Sequence, residues 1–492
     1  MAAESSNLRF GSTPGRWVIA TAVLGSGIAF LDGSVVNTAL PHIQRTFNAS
    51  LAGQQWVVTG YLLTLGSLLV VGGSLGDLFG RRRMFVFGLI GFSLTSMLCG
   101  LAPTLGVLVG ARVGQGVSAA LLVPGSMAML SAVFHPDDRA KAIGAWSGLS
   151  GVSTAIGPFL GGWLIDAVSW RWIFLINPPL AAVAVTIAQR FVPETRGDSV
   201  RNADAKLREL IDLPGAATLS VGLAGVVYAL IEGPAQNWPW PSIVASILGI
   251  VSLALFIIIE TRSDNPMVPL SLFRSKRFAG SNAATFVMWG AIGAVFFLLT
   301  IHLQNDLGYS ALEAGASSLP VTVLMLLFAA KSGAFAQRIG PRLPMTIGPV
   351  VTGGAFALMS RIKPGFHYAT GVFPAVAVFG CGLVITVAPL TSTVLAAVED
   401  RRVGIGSAIN NAVARVASLL AIAVLPAVSG IAVGGTDSLR TGFSRAMWIC
   451  AGLAAAGGAI CFLTIANDQP AEAVDRFGGL DGSDSERGTY TP

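Results

Sequence analysis

The chain has 492 residues, of which 53% are hydrophobic and only 11% charged. A soluble domain carries about 25% charged residues, and a mean hydropathy of +0.70 leaves too few polar groups to cover a water-facing surface. Intrinsic disorder and nucleic-acid binding are therefore excluded despite the net charge of +6, and the expected class is an all-α polytopic membrane protein.

A bilayer crossing takes about 20 apolar residues, and a helix satisfies its own backbone hydrogen bonds there. Fourteen stretches qualify, at about 17–40, 54–76, 84–102, 105–133, 142–165, 171–190, 213–232, 242–260, 280–304, 315–337, 343–362, 369–397, 405–432 and 443–466. The first follows Arg9 and Arg16 as a signal peptide would. It is too long for one and leads into Asp32 and a second span, so it reads as a retained anchor.

Within the first span, Leu31-Asp32-Gly33-Ser34-Val35-Val36-Asn37-Thr38-Ala39-Leu40-Pro41 places a carboxylate in hydrocarbon, at roughly 2.5–3.5 kcal/mol on insertion scales. Asp32 is thus a candidate proton carrier; the alternative is a structural carboxylate bonded to nearby hydroxyls. The second span ends in Gly73-Ser-Leu-Gly-Asp77-Leu-Phe-Gly80-Arg81-Arg82-Arg83. A membrane-edge acid before a glycine turn can pair with Arg81 or face a neighbouring helix N-terminus, latching one conformation. Arg112 and Gln115 lie in the fourth span. A buried guanidinium needs a partner, and Asp32 is the acid at hand in the first half; backbone carbonyls are the alternative. Gly114 and Gly116 resemble a dinucleotide loop, but no strand precedes them.

The fifth span carries Gly144, Gly148, Gly151, Gly157, Pro158, Gly161 and Gly162. Four-residue spacings put several glycines on one face for close helix packing, either a static contact or a moving seam. Glu232 and Lys331 lie near span ends and can reach the interface, whereas Arg415 lies deeper, in a span without an acid of its own. Asn37, Gln115, Gln304, Asn411 and Arg415 are the polar candidates for a substrate cavity. Cys99, Cys381, Cys450 and Cys461 sit in or beside apolar runs without a CxxC spacing, as packing residues do. Neither a metal-ligand cluster, nor a nucleophile–base set, nor a phosphate-binding loop for ATP is present in the sequence, so no cofactor is expected and an ion gradient is the expected energy source.

With both termini cytoplasmic, 22 of the 31 Lys and Arg residues fall on the cytoplasmic side and six on the outer side, leaving Arg112, Lys331 and Arg415 in spans. This bias sets the topology and accounts for the basic charge. A faint repeat relates 73–81 to 333–341, each following the second span of a six-span set. The expected organisation is a six-helix bundle (1–190), a central loop with two inserted helices (191–275), a second six-helix bundle (276–466) and a disordered cytoplasmic tail (467–492).

Taken in order, the segments at 31–41, 73–83, 112–116, 157–162, Trp170–Pro178 and His302–Pro320 resemble the major facilitator superfamily, and within it the fourteen-span drug:proton antiporters. The resemblance covers about residues 15–465. It implies alternating access, with proton entry driving export of an amphipathic compound. It assigns proton coupling to Asp32 assisted by Arg112, a conformational switch to Gly73, Asp77, Gly80 and Arg81, and the antiporter motif to Gly157, Pro158, Gly161 and Gly162. A monomer with a small amphipathic substrate and protons as its ligands and no nucleic-acid partner is expected, and the Gly/Ala/Arg-rich composition points to a bacterial plasma membrane. Lys331 and Arg415 stand where some relatives carry acids, which argues against a dicationic substrate; Gln337 replaces an acid in the second loop copy. Export of one endogenous metabolite, lipid or peptide, sodium coupling, and a non-transporting receptor or scaffold are the other readings.

Overall fold

A computed structural model of the chain describes residues 8–196, 212–263, 266–399, 403–431 and 436–467. Most of the expected central loop and nearly all of the expected tail lie outside them. The described residues are helical, with one isolated bridge between Leu8 and Phe134. The first six helices are α1 (Thr13–Phe47), α2 (Leu51–Phe79), α3 (Arg81–Gly100), α4 (Leu105–Val133), α5 (Pro136–Ala167) and α6 (Trp172–Phe191), the last interrupted by a turn at Ile176. A hairpin of α7 (Leu213–Ala235) and α8 (Trp240–Arg262) follows. The remainder are α9 (Lys276–Asn305), α10 (Ala311–Ile339, interrupted at Ser317 and Ser318), α11 (Arg342–Met359), α12 (Tyr368–Ala396), α13 (Val403–Val428) and α14 (Thr436–Thr464).

Several helices outrun the apolar stretches because local caps, not hydropathy, decide where they end. Ser12 accepts the Gly15 amide at the start of α1, and Asn48 closes its far end in the left-handed region at φ 49°. Ser50, Thr104 and Ser275 cap α2, α4 and α9 in the same way, and Ser310 with Glu313 makes a capping box for α10.

Thirteen of these helices are long and apolar enough to cross a membrane, one fewer than the fourteen expected. The shortfall is α11. It has only 18 residues, with Pro344, Pro349, Gly348, Gly353 and Gly354 diluting its apolar run.

Helices α1–α6 pack on one another, chiefly α1 on α5 and α2 on α4, while α9–α14 form a second set led by α9 on α13 and α14 and α11 on α12 and α14. Lipid removes the hydrophobic drive for helix association, so small residues set the approach. A Cβ at Gly72 would lie 2.0 Å from the Ala120 carbonyl oxygen, and one at Gly116 would lie 2.3 Å from the carbonyl oxygen of Tyr61, which locks α2 to α4. The two sets meet chiefly along two seams, α2 with α13 and α5 with α10, with a smaller contact of α1 on α9. The hairpin packs through α7 on both α2 and α13. The outward side chains of α8, including Trp240, Leu248 and Ile250, are exposed, as a lipid-facing surface requires.

Candidate functional site

Asp32 lies midway along α1 with its side chain fully buried, and Arg112 of α4 is 1% exposed beside it. Arg112 Nη1 donates to Asp32 Oδ2. The same Nη1 donates to Gln115 Oε1 at 2.7 Å, one helical turn along α4, and Nε donates to the Val57 carbonyl of α2 at 3.1 Å. Gln115 Nε2 donates to Asp32 Oδ1 at 2.9 Å, and Asn177 Nδ2 of α6 reaches the same oxygen at 3.2 Å. Asn177 also donates to Ser96 Oγ of α3, whose hydroxyl bonds the Phe174 carbonyl. Tyr61 covers the guanidinium with its ring centroid 4.3 Å away.

Five helices of the first set thus converge on one carboxylate. Three donors reach Asp32, two on Oδ1 and one on Oδ2. A proton on Oδ1, which already accepts two donors, displaces Gln115 or Asn177, and a proton on Oδ2 removes the charge that holds Arg112, so a proton bound here is felt by α4 or α6. Asn177 and Ser96 escape sequence reading because nothing local ties them to Asp32. Ser96 shows only a hydroxyl inside an otherwise apolar run, and Asn177 falls within the Trp170–Pro178 segment of the resemblance without a role of its own.

The loop from Asp77 to Arg81 is built around a backbone turn. Gly80 has φ +106°, a region that strains any side-chain-bearing residue. Arg81 Nε and Nη2 each lie 2.8 Å from Asp77 Oδ1, and Nη1 donates to the Ala128 carbonyl of α4 at 3.2 Å. Glu194, just after α6, accepts the amides of Arg82 at 3.1 Å and Arg83 at 3.2 Å. It therefore caps α3 and complements the positive end of that helix. Gly73 has room around it, its nearest neighbour being Pro124 at 3.6 Å; the close approach to α4 falls on Gly72. The second copy repeats the geometry with weaker charge. Gly340 has φ +86°, and Asn467 after α14 accepts the Arg342 amide at 3.2 Å. Neither cap was among the sequence candidates. The hint for Glu194 is an acid directly after a span, next to Pro193.

The α5 glycine face divides into two halves. A Cβ at Gly157 would lie 2.1 Å from Ser34 Oγ, at Gly161 2.0 Å from Val35 Cγ2, and at Gly162 2.4 Å from the Ala311 carbonyl oxygen. From the other side, a Cβ at Gly315 would lie 2.0 Å from the Pro158 carbonyl oxygen. Asp166 at the end of α5 accepts the Ala311 and Leu312 amides at 3.3 and 2.8 Å, capping α10 across the seam. Gly144, Gly148 and Gly151 have nothing within 4 Å. The packing face expected along the whole span is used only in its second half. That half lies toward the end of α1, opposite the basic face where α1 begins.

The polar candidates for a cavity divide as well. Gln115 is fully buried within the Asp32 cluster, and Gln304, 8% exposed, donates to the Thr38 carbonyl of α1 at 2.9 Å. Asn411 bonds back to the Ser407 carbonyl of its own helix. Asn37 is half-buried, with a partnerless Oδ1. Arg415 lies at the α2–α13 seam, its Cβ 3.3 Å from the position a Gly66 Cβ would take and its guanidinium 5.7 Å from the Phe30 ring centroid. Among the described residues no carboxylate pairs with it. Lys331 is exposed beside Phe328. Glu232, near the end of α7, accepts Trp56 Nε1 of α2 at 2.8 Å and the exposed Gln236 Nε2 at 2.7 Å. His302 pairs with Asp306 at 2.6 Å and stacks on Phe443, bracing α9 against α14. All four cysteines are free, and among the described residues no group of three or more His, Cys, Asp or Glu side chains is placed to hold a metal.

A sequence profile described as Major Facilitator Superfamily matches residues 22–217 and 213–422. The chain is 35% identical over 413 residues to the multidrug resistance protein Stp of Mycobacterium tuberculosis, covering 84% of this chain and 75% of that one. It is 35% identical over 430 residues to the puromycin resistance protein pur8 of Streptomyces alboniger, covering 85% and 83%. Among solved structures, a peptide transporter POT crystallised in complex with sulfate shares the fold, with a TM-score of 0.67 at 13% identity over 93% of this chain and 95% of that one.

Proposed function

The chain belongs to the major facilitator superfamily, and from that premise we propose that it is a proton-coupled antiporter exporting amphipathic drugs or toxic compounds by alternating access across a bacterial plasma membrane. The resistance activities for which Stp and pur8 are named supply the substrate class. The single observation that carries the coupling is the buried Asp32, held by donors from α4 and α6. A protein that only binds a partner has no use for an ionisable pair in hydrocarbon, whereas a proton carrier needs one.

In this reading the basic face is cytoplasmic and both termini lie there, following the distribution of Lys and Arg. The α5–α10 clasp shuts the outer side, and toward the cytoplasmic side α5 is open around Gly144, Gly148 and Gly151. A proton arriving from outside neutralises Asp32 and frees Arg112 and Gln115 to change partners. Substrate binding from the cytoplasm belongs to the arrangement in which Arg112, Gln115 and Asn177 all hold Asp32. The protein acts as a monomer, since each half contributes to both seams within one chain. Arg415, without a carboxylate partner among the described residues, favours neutral or anionic compounds over dications.

Inside-out vesicles energised to an acid interior test this directly. Monocationic, neutral and anionic compounds are added in turn, and proton release is recorded for the wild type and for Asp32→Asn that is folded by gel filtration. Release in the wild type and none in the variant is the expected result. Release retained in the variant removes Asp32 from the coupling. No release with any compound overturns proton antiport.

A further inference from the structure

At the basic-face end of the hairpin two carboxylates lie together, and among the described residues no donor stands between them. Asp212 caps α7, its Oδ1 accepting the Gly215 amide at 2.7 Å. Glu260 lies near the end of α8, 3% exposed, with Oε2 accepting the Val268 amide at 3.0 Å. The Asp212 carboxyl is within hydrogen-bond reach of Glu260. The remaining oxygens, Asp212 Oδ2 and Glu260 Oε1, are both buried and partnerless. Around them Ala216 and Leu219 of α7, Phe256 of α8, Val71 and Leu75 of α2, and Met267 and Val268 of the following segment form an apolar cluster. Among the described residues, Asp212 is the charged group acting on Glu260.

Two carboxylates cannot both stay ionised in an apolar site at hydrogen-bond distance. A cation or a proton has to lie between them. Two free oxygens in an apolar cluster are far fewer than the roughly six or more oxygen ligands that calcium or magnesium takes. We infer that Asp212 and Glu260 share one proton, forming a proton-binding site separate from Asp32 that fastens the base of the α7–α8 hairpin. The pair carries a single negative charge, and the proton makes the hydrogen bond that closes the turn from α8 back to α7. Losing it sets two carboxylates against each other where α7 rests on α2, within a few turns of the Asp77–Arg81 loop. The inference depends on proton binding and not on transport, so it stands or falls apart from the antiport reading.

The test is an infrared pH titration of the reconstituted protein in an Asp32→Asn background, with thermal melting followed in parallel. A protonated-carboxyl band that disappears as pH rises is expected, and Glu260→Gln and Asp212→Asn should each remove it. Because an amide supplies its own N–H to the partner oxygen, both variants should also flatten the fall of melting temperature with rising pH. Glu260→Asp, which keeps the acid and shortens its reach, should retain the band at a shifted position, covering the case in which the amide variants do not fold. A band absent from the parent, or unchanged in both amide variants, overturns the inference. So does a melting temperature raised by sodium or calcium in the parent and not in Glu260→Gln, which would mean a metal cation sits there instead.

Discussion

Gly162→Ala tests the clasp between the two halves. The new Cβ would lie 2.4 Å from the Ala311 carbonyl oxygen and 2.7 Å from Leu312 Cα. Both neighbours are backbone, so no side chain can swing aside, and α5 and α10 must separate or the substitution is strained. Overpacking of this kind costs about 1–3 kcal/mol. The gain in helix propensity, about 1 kcal/mol, applies to any arrangement in which α5 stays helical and cancels between them. The arrangement closed at this face therefore loses about 5- to 150-fold in population against the open one. Spin labels at Val168 and Phe366, exposed residues on this face in opposite halves, with the exposed Cys381 replaced, would report the distance by pulsed electron resonance. A population shift to longer distances is expected for Gly162→Ala, while Gly151→Ala on the same helix, where nothing lies within 4 Å, should match the wild type. Identical distributions for wild type and Gly162→Ala would refute the reasoning, as would an equal shift in the Gly151 control.

Arg112→Leu leaves Asp32 buried without its cation, a loss of about 3–5 kcal/mol that should lower the melting temperature in detergent. Adding Asp32→Asn should recover most of that loss, and a single variant that melts like the wild type would show that the pair is not a coupled unit. Glu194→Ala removes the cap of α3 and should cost about 1 kcal/mol. Gly80→Ala should cost more, about 1–3 kcal/mol, because φ +106° and the Glu194 carboxylate 2.6 Å from the new Cβ both oppose it. Gly76→Ala, with Arg81 no nearer than 3.9 Å, is the neutral comparison; equal melting of the Gly76 and Gly80 variants would dismiss the strained turn.

The sequence alone determined the membrane class, thirteen of the spans and the residues that are costly to keep in hydrocarbon. Composition, run length and the energy of an intramembrane charge are properties of a segment by itself. Asp32 and Arg112 stood out for that reason, as did the turn at Gly80. The fourteenth span shows where the segment-level rule weakens, since prolines and glycines can hold a helix short without removing it from the bundle.

What only the tertiary structure decided is partnership. Asn177 reaches Asp32 across 145 positions of sequence, and Glu194 caps a helix that begins 113 positions earlier, accepting amides 111 and 112 positions away. Seven small or kinked positions along α5 look alike as a string, yet three glycines press against other backbones and side chains while three face open space. Four-residue spacing fixes which side of a helix a glycine occupies. Which stretch of that side meets a neighbour depends on how the two halves lean, and the lean is set by contacts between residues far apart in the chain.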